Sequence, residues 1–154
     1  MTITVRVATP KDFAAIQRMN NEVFVDNAPY DEYLNLKWPH SAQGEKYYRN
    51  ALSDLNFHCL IAKADGEPVG YLIGKKGGYG YRTGNVAEID NMGVSPSLRS
   101  QGIGSRLVRE FKTWCKQEGV ERIYVNVYFA ITRAISFYER QGLIRIDLSL
   151  EGNI

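Results

Sequence analysis

The stretch Met92-Gly93-Val94-Ser95-Pro96-Ser97-Leu98-Arg99-Ser100-Gln101-Gly102-Ile103-Gly104-Ser105 joins a strand pattern to the strongest helix pattern in the chain. Upstream, Val86 to Val94 reads as a strand. Downstream, Gly102 to Glu118 reads as a helix. Ile103, Leu107, Val108, Phe111, Trp114 and Cys115 fall on one face, and Gly119 stops it. A loop that feeds a helix N-terminus presents backbone N–H groups with no intrahelical partner, and the helix dipole adds partial positive charge there. Such a place suits a pyrophosphate. Gly102 and Gly104 carry no side chain to hold phosphate oxygens off the amides, Arg99 adds a cation and Ser105 a hydroxyl. Taken alone, the glycine pair is also explained by a tight turn and close helix–sheet packing. No Gly-Lys-Ser/Thr follows, which excludes a Walker A loop. No third glycine stands where the dinucleotide fingerprint needs one.

Before this stretch, Thr2 to Val7 alternates apolar and polar residues and predicts a first strand. Thr9-Pro10-Lys11-Asp12 has the form of a helix start, followed by an apolar face of Phe13, Ile16, Met19, Val23 and Phe24. Asp26 to Pro39 is irregular. A second helix is expected from Ser41 to Leu55, burying Tyr48, Ala51, Leu52 and Leu55. Phe57 to Ala62 and Val69 to Ile73 are apolar runs about the turn signal Asp65-Gly66. Gly74 to Gly84 holds five glycines and reads as a hairpin. After the long helix come a short strand from Arg122 to Val127, a helix from Ile131 to Arg140 closed by Gly142, and a final strand from Leu143 to Leu150. The order β-α-α-β-β-β-α-β-α-β predicts an α/β fold, a mixed sheet with helices on both faces.

The 154 residues are one domain by size, residues 1–154. Hydrophobic residues make up 44% and charged residues 23%, which argues against disorder. A net charge of +2 gives no reason to expect nucleic acid as a partner, and the Gly/Tyr/Arg content of residues 74–84 is explained by the hairpin. No stretch approaches the ~20 apolar residues of a membrane span, and the N-terminus has no apolar signal core. The chain is therefore expected to be cytoplasmic, with no membrane partner. Cys59 and Cys115 read as small buried hydrophobes, so neither a disulfide scaffold nor a cysteine nucleophile is expected. His40 has no partner at ligand spacing, and no metal site is expected.

Arg99-Ser100-Gln101-Gly102-Ile103-Gly104 resembles the R/Q-x-x-G-x-G/A motif of the GNAT N-acetyltransferase superfamily. Glu88 to Val94 looks like the strand that precedes that motif. Ala134-Ile135-Ser136-Phe137-Tyr138, followed by Gly142 and Leu143, resembles the A-x-x-x-Y-x-x-x-G-F segment, with Leu143 in place of the usual Phe. The motifs cover residues 86–143, and the element order matches over nearly the whole chain.

The resemblance implies a single N-acetyltransferase domain with acetyl-CoA as cosubstrate, bound where the strands ending at Val94 and Val127 splay apart. Backbone groups of Met92 and Val94 would pair with the pantetheine arm, and the amides from Ser100 to Ser105 (Gln101, Gly102, Ile103 and Gly104 between them) would hold the pyrophosphate. An amine acceptor, on a small molecule or a protein, would attack the thioester directly. An alkylammonium has a pKa of about 10 and must lose a proton. Glu88 is the candidate base, with Asp90 the nearest rival, and strand alternation puts Glu88, Asp90 and Met92 on one face. A backbone N–H near Met92 or Gly93 would hold the oxyanion. Tyr138 is the candidate acid for the departing thiolate. Its alternative is a core-facing aromatic on the stripe of Ile131, Ala134 and Ile135.

Ile131 departs from the family, in which many members carry Asn at that place to help hold the cofactor. Asn126 and Thr132 are the candidate substitutes. Asp26, Asp31 and Glu32 near Tyr30, Tyr33 and Trp38 fall where the family builds its acceptor pocket, and carboxylates with aromatic faces suit a cationic amine. A homodimer is expected at family level only. A competing reading is a non-catalytic acyl-CoA-binding or sensor module.

Overall fold

The computed structural model describes residues 1–154. Strands β1 (Ile3–Val7), β2 (Phe57–Ala64), β3 (Glu67–Lys76), β4 (Val86–Val94) and β5 (Arg122–Tyr124) form one sheet in chain order. The first four strands pair antiparallel. β4 and β5 pair parallel, with helix α3 (Ile103–Gln117) as the crossover. Helices α1 (Phe13–Asn27) and α2 (Ala42–Ser53) cover the other face, and α4 (Thr132–Arg140) follows β5. The expected mixed sheet with helices on both faces is what the chain forms.

The side chains divide into two cores, one on each face. Leu60, Leu72, Ala87 and Ile89 meet Ile103, Leu107, Val108 and Phe111 of α3. Ile61, Tyr71 and Ile73 meet Ile16 and Met19 of α1 and Tyr48 of α2. The consecutive runs in β2 and β3 are apolar on both sides because both faces are covered. Asp65 and Gly66, both at positive φ, close the β2–β3 hairpin as expected. Two caps fix the helix starts. Asp12 reaches back to the Thr9 amide at 2.8 Å and takes both Arg6 N–H groups, at 2.8 and 2.9 Å. Ser41 Oγ accepts from the Gly44 amide at 3.1 Å.

Four expectations are corrected. Leu55 is 91% exposed, because α2 ends at Ser53 and Leu55 lies in the turn beyond it. β3 continues to Lys76, so Gly74 is a strand residue and the glycine-rich connection starts at Gly77. β5 stops at Tyr124 rather than Val127. The final strand from Leu143 to Leu150 is absent. Leu143 N–H donates to the Tyr138 carbonyl, no residue beyond it joins a backbone hydrogen bond, and Ile144, Ile146, Leu148 and Leu150 are exposed. Alternation makes a strand only where a neighbouring edge receives it, and the three-residue β5 offers almost none.

Candidate active site

β4 is paired to β3 along its length, but its ladder with β5 runs only from Val86 opposite Arg122 to Glu88 opposite Tyr124. Beyond Glu88 the two strands part, and the β5-facing edge of β4 has no strand beside it. Which peptide groups face that opening follows from the antiparallel alternation. The Ser95 amide donates to the Val69 carbonyl at 2.8 Å, so the peptide groups of Gly93 and Asn91 turn toward β3, while those of Met92 and Val94 turn away from it. The Val94 carbonyl is taken by Arg99 Nε at 3.0 Å. The opening is therefore lined by the N–H and C=O of Met92 and the N–H of Val94. Of the two expected oxyanion donors, Met92 faces the opening and Gly93 does not.

A β-bulge changes what the side chains do. Ile73 lies opposite Asn91 and Gly74 opposite Ile89, which leaves Asp90 as an extra residue on β4. Ala87 and Ile89 point into the α3-side core, with Glu88 and Asp90 on the opposite face. Past the bulge the phase is reversed. Asn91 and Gly93 face α1, while Met92 and Val94 pack with the α3-side core. Glu88 and Asp90 do share a face, but Met92 does not share it with them.

Glu88 and Asp90 are gathered by a residue absent from the sequence-level candidates. Lys75 Nζ lies 3.2 Å from Asp90 and 3.7 Å from Glu88. The Tyr124 hydroxyl donates to Glu88 at 2.9 Å, and the Tyr47 hydroxyl donates to Asp90. Burial first, and the neighbouring carboxylates after it, push both phenols above their ordinary pKa, so they stay donors. Tyr79 stacks on Tyr81 at 5.5 Å and leans on Tyr124 at 5.3 Å, forming an aromatic wall beside Glu88. Carrying the Tyr71–Ile73 alternation two residues further would have brought Lys75 to this face.

The loop into α3 has the character read from the sequence. Ser100 and Gly102 sit at φ +63° and +81°, and the backbone amides of Ser100, Gln101, Gly102, Ile103, Gly104 and Ser105 donate to no protein acceptor. Successive unpartnered N–H groups at a helix start form an anion cradle. The side chains contribute less than expected. Ile103 is buried in the α3-side core, and Ser105 Oγ accepts from Gln141 at 3.0 Å. Arg99 pairs with Asp26, so its charge is partly balanced by a carboxylate that straps α1 to the loop. A Cβ on Gly104 would stand 3.1 Å from Phe137 of α4, whereas one on Gly102 would meet nothing within 4 Å. Gly102 thus supplies the left-handed turn and borders open space, and Gly104 admits α4.

Tyr138 packs edge-on to Phe137 at 5.0 Å and against the α3-side core. Its hydroxyl makes no hydrogen bond to protein, and burial raises the phenol's pKa, keeping the proton in place at neutral pH. Ile131 stands at the start of α4 with no side-chain cap. Asp31 accepts from Tyr128 at 2.6 Å, and Glu32 is exposed. Asp26 and Asp31 are thus held by Arg99 and Tyr128, and a second pair of carboxylates among aromatic rings is Glu88 and Asp90. Burial pushes the Cys59 and Cys115 thiols up to about 12 and about 11, which leaves them unreactive. No helix is long and apolar enough to cross a membrane.

Comparison with known proteins agrees with this architecture. The N-alpha-acetyltransferase RimI of Mycobacterium tuberculosis is 25% identical over 150 residues, covering 95% of this chain and 81% of that protein. The thialysine N-epsilon-acetyltransferase of Sus scrofa is 29% identical over 93 residues, covering 56% of this chain and 55% of that protein. Among solved structures, a tetramutant of the BH1408 protein from Bacillus halodurans superposes with a TM-score of 0.86 at 17% identity, covering 98% of this chain and 99% of that one. AAC(6')-Iy, solved with the bisubstrate analogue CoA-S-monomethyl-acetylneamine, superposes with a TM-score of 0.80 at 14% identity, covering 100% of this chain and 99% of that one. The family model described as "Acetyltransferase (GNAT) family" matches residues 17–143. With the motif, the parted strands and the amide cradle falling inside that span, this chain belongs to the GNAT acetyltransferase family.

Proposed function

We propose that the protein transfers an acetyl group from acetyl-CoA to a primary amine by direct attack. The observation that carries this reading is the run of unpartnered amides from Ser100 to Ser105, set at the end of a β4 edge on which Met92 and Val94 present backbone groups. A pyrophosphate on the cradle lets the pantetheine arm run back along that edge toward Met92. The amine nitrogen attacks the thioester carbonyl carbon, and the carbonyl electron pair moves onto oxygen, where the Met92 N–H receives it. Collapse expels the CoA thiolate, which takes a proton from Tyr138 while the second proton of the attacking nitrogen, lost as the amide forms, returns the phenol to its neutral state. The proton shed by the ammonium goes to Glu88, directly or through a water.

The acceptor enters from the face of Glu88 and Asp90. Two carboxylates against one lysine leave a net negative charge beside the rings of Tyr79 and Tyr124, which suits a cationic amine. RimI and the thialysine enzyme are named for N-acetylation, and AAC(6')-Iy was solved with an acetylneamine analogue. All three names support an amine as acceptor. The non-catalytic acyl-CoA module draws support from one feature, the commitment of Glu88 to Lys75 and Tyr124.

A thiol-release assay separates the two. Acetyl-CoA is mixed with small monoamines, polyamines, aminoglycosides and peptides bearing a free N-terminus or lysine. Amine-dependent CoA release is expected for at least one class. Tight acetyl-CoA binding with no release across all classes would favour the binding module.

A further inference from the structure

A chain of buried polar side chains crosses the α1–α2 side of the molecule and ends beside the Asp90 bulge. The Tyr48 hydroxyl donates to Asn20 Oδ1, Asn20 Nδ2 donates to the Tyr71 hydroxyl at 2.9 Å, and the Tyr71 hydroxyl donates to Asn91 Oδ1 at 2.6 Å. Tyr48, Asn20 and Tyr71 have no exposed surface. The chain links α2, α1, β3 and β4 through these three hydrogen bonds. A buried polar chain is costly to leave incomplete, so it holds its members in one arrangement.

Its end is placed at a sensitive point. The Tyr71 hydroxyl holds Asn91, the residue just before Met92. The Tyr71 ring lies under Gly93, the residue just after it: a Cβ on Gly93 would stand 3.2 Å from Tyr71 Cε1 and 2.6 Å from Val23. Tyr71 and Gly93 are also direct register partners. One tyrosine therefore fixes the backbone on both sides of Met92, where the bulge would otherwise leave the strand freer to shift.

We infer that Tyr71, with Asn20 and Asn91, is a positioning residue that sets the direction of the Met92 N–H into the opening. It touches neither substrate and acts through the β4 backbone. The inference rests on the reading of Met92 as the oxyanion donor. A donor must be aimed at where charge develops, and a displacement well under 1 Å already weakens it.

The experiment uses the full chain, acetyl-CoA and an amine turned over in the panel, with Tyr71→Phe, Asn91→Ala and Asn91→Asp. Asn91→Ala sits at the partly exposed end of the chain, so it guards against a Tyr71 variant that fails to fold. Expected is a loss in kcat of about 10-fold or more for Tyr71→Phe and Asn91→Ala, with acetyl-CoA affinity and amine KM changed by less than about 3-fold. Asn91→Asp keeps an acceptor for the Tyr71 hydroxyl and should recover most of the rate. In each slow variant the Met92 amide resonance should move. Unchanged kcat with a lowered Tm would overturn the inference and leave the chain as packing. If the wild type turns over no amine, the proposed reaction fails, and the Met92 amide still decides this point: an unmoved resonance in Tyr71→Phe sinks it.

Discussion

Gly104 and Glu88 each combine a structural and a chemical role that one substitution at one pH would confuse. At Gly104 the added atom meets Phe137 Cζ at 3.1 Å and Cε2 at 3.2 Å before anything else. Gly104→Ala requires the ring to yield by a few tenths of an ångström, and acetyl-CoA affinity should stay within a few-fold. Gly104→Val is over-packed as well as intrusive, and should lose about 1–3 kcal/mol of stability together with cofactor binding. Calorimetry beside a melting curve separates the two effects. A valine variant that folds and binds normally would move the cofactor elsewhere. For Glu88→Gln, kcat/KM should fall by about 10²-fold or more at neutral pH, the scale of general base catalysis. The loss should fade at high pH, where the amine is already neutral. A loss equal at every pH would instead make Glu88 a residue that binds the acceptor.

The first turn of α1 supplies a prediction at the element scale, because Asp12 ties it to β1 through Arg6. The hydrogen bond from the guanidinium, opposed by burial, holds the Asp12 carboxyl at about 2 in the folded chain. The unfolded value is about 3.9, so the folded value lies below it. The stabilisation is therefore complete above roughly pH 4 and is lost as pH falls toward 2. Asp12→Asn should cost about 1–2 kcal/mol at neutral pH, allowing for solvent screening at the half-exposed Arg6, and much less near pH 2. Denaturant titrations at the two pH values test the sign. A deficit that grew on acidification would exclude the ion pair as its source.

The elements themselves were largely legible, and the reasons differ by position. The α3 stripe from Ile103 to Cys115 and the runs of β2 and β3 are periodic because each meets a covered face, and those predict well. Leu143 to Leu150 has the same alternation but pairs with no strand, and a sequence carries the pattern without the partner. The phase of β4 turns on one residue: an inserted Asp90 looks like any other strand residue until its register with β3 is known. Asn20, Tyr48 and Tyr71 gave no polar signal, since two of the three pass as ordinary core aromatics. Lys75 was hidden by the glycines around it, and the commitment of Arg99 to Asp26 spans too much sequence for spacing to reveal.

At the scale of the whole molecule, the proposed site lies between two bodies of unequal attachment. β1 to β4 are laced by long antiparallel ladders and packed by helices on both faces, whereas β5 joins them only from Val86 to Glu88. α4 buries no residue fully and leans on α3 through Phe137 and Tyr138. Native-state hydrogen exchange should therefore resolve two cooperative units, with amides of residues 122–142 opening at lower free energy than those of β2 and β3. The proposed base sits on the firm unit and the proposed acid on the labile one, so each local opening dissolves the pairing of acid and base without unfolding the protein. A ligand bridging the two units would slow exchange in the second far more than in the first, by the free energy with which it favours the closed state.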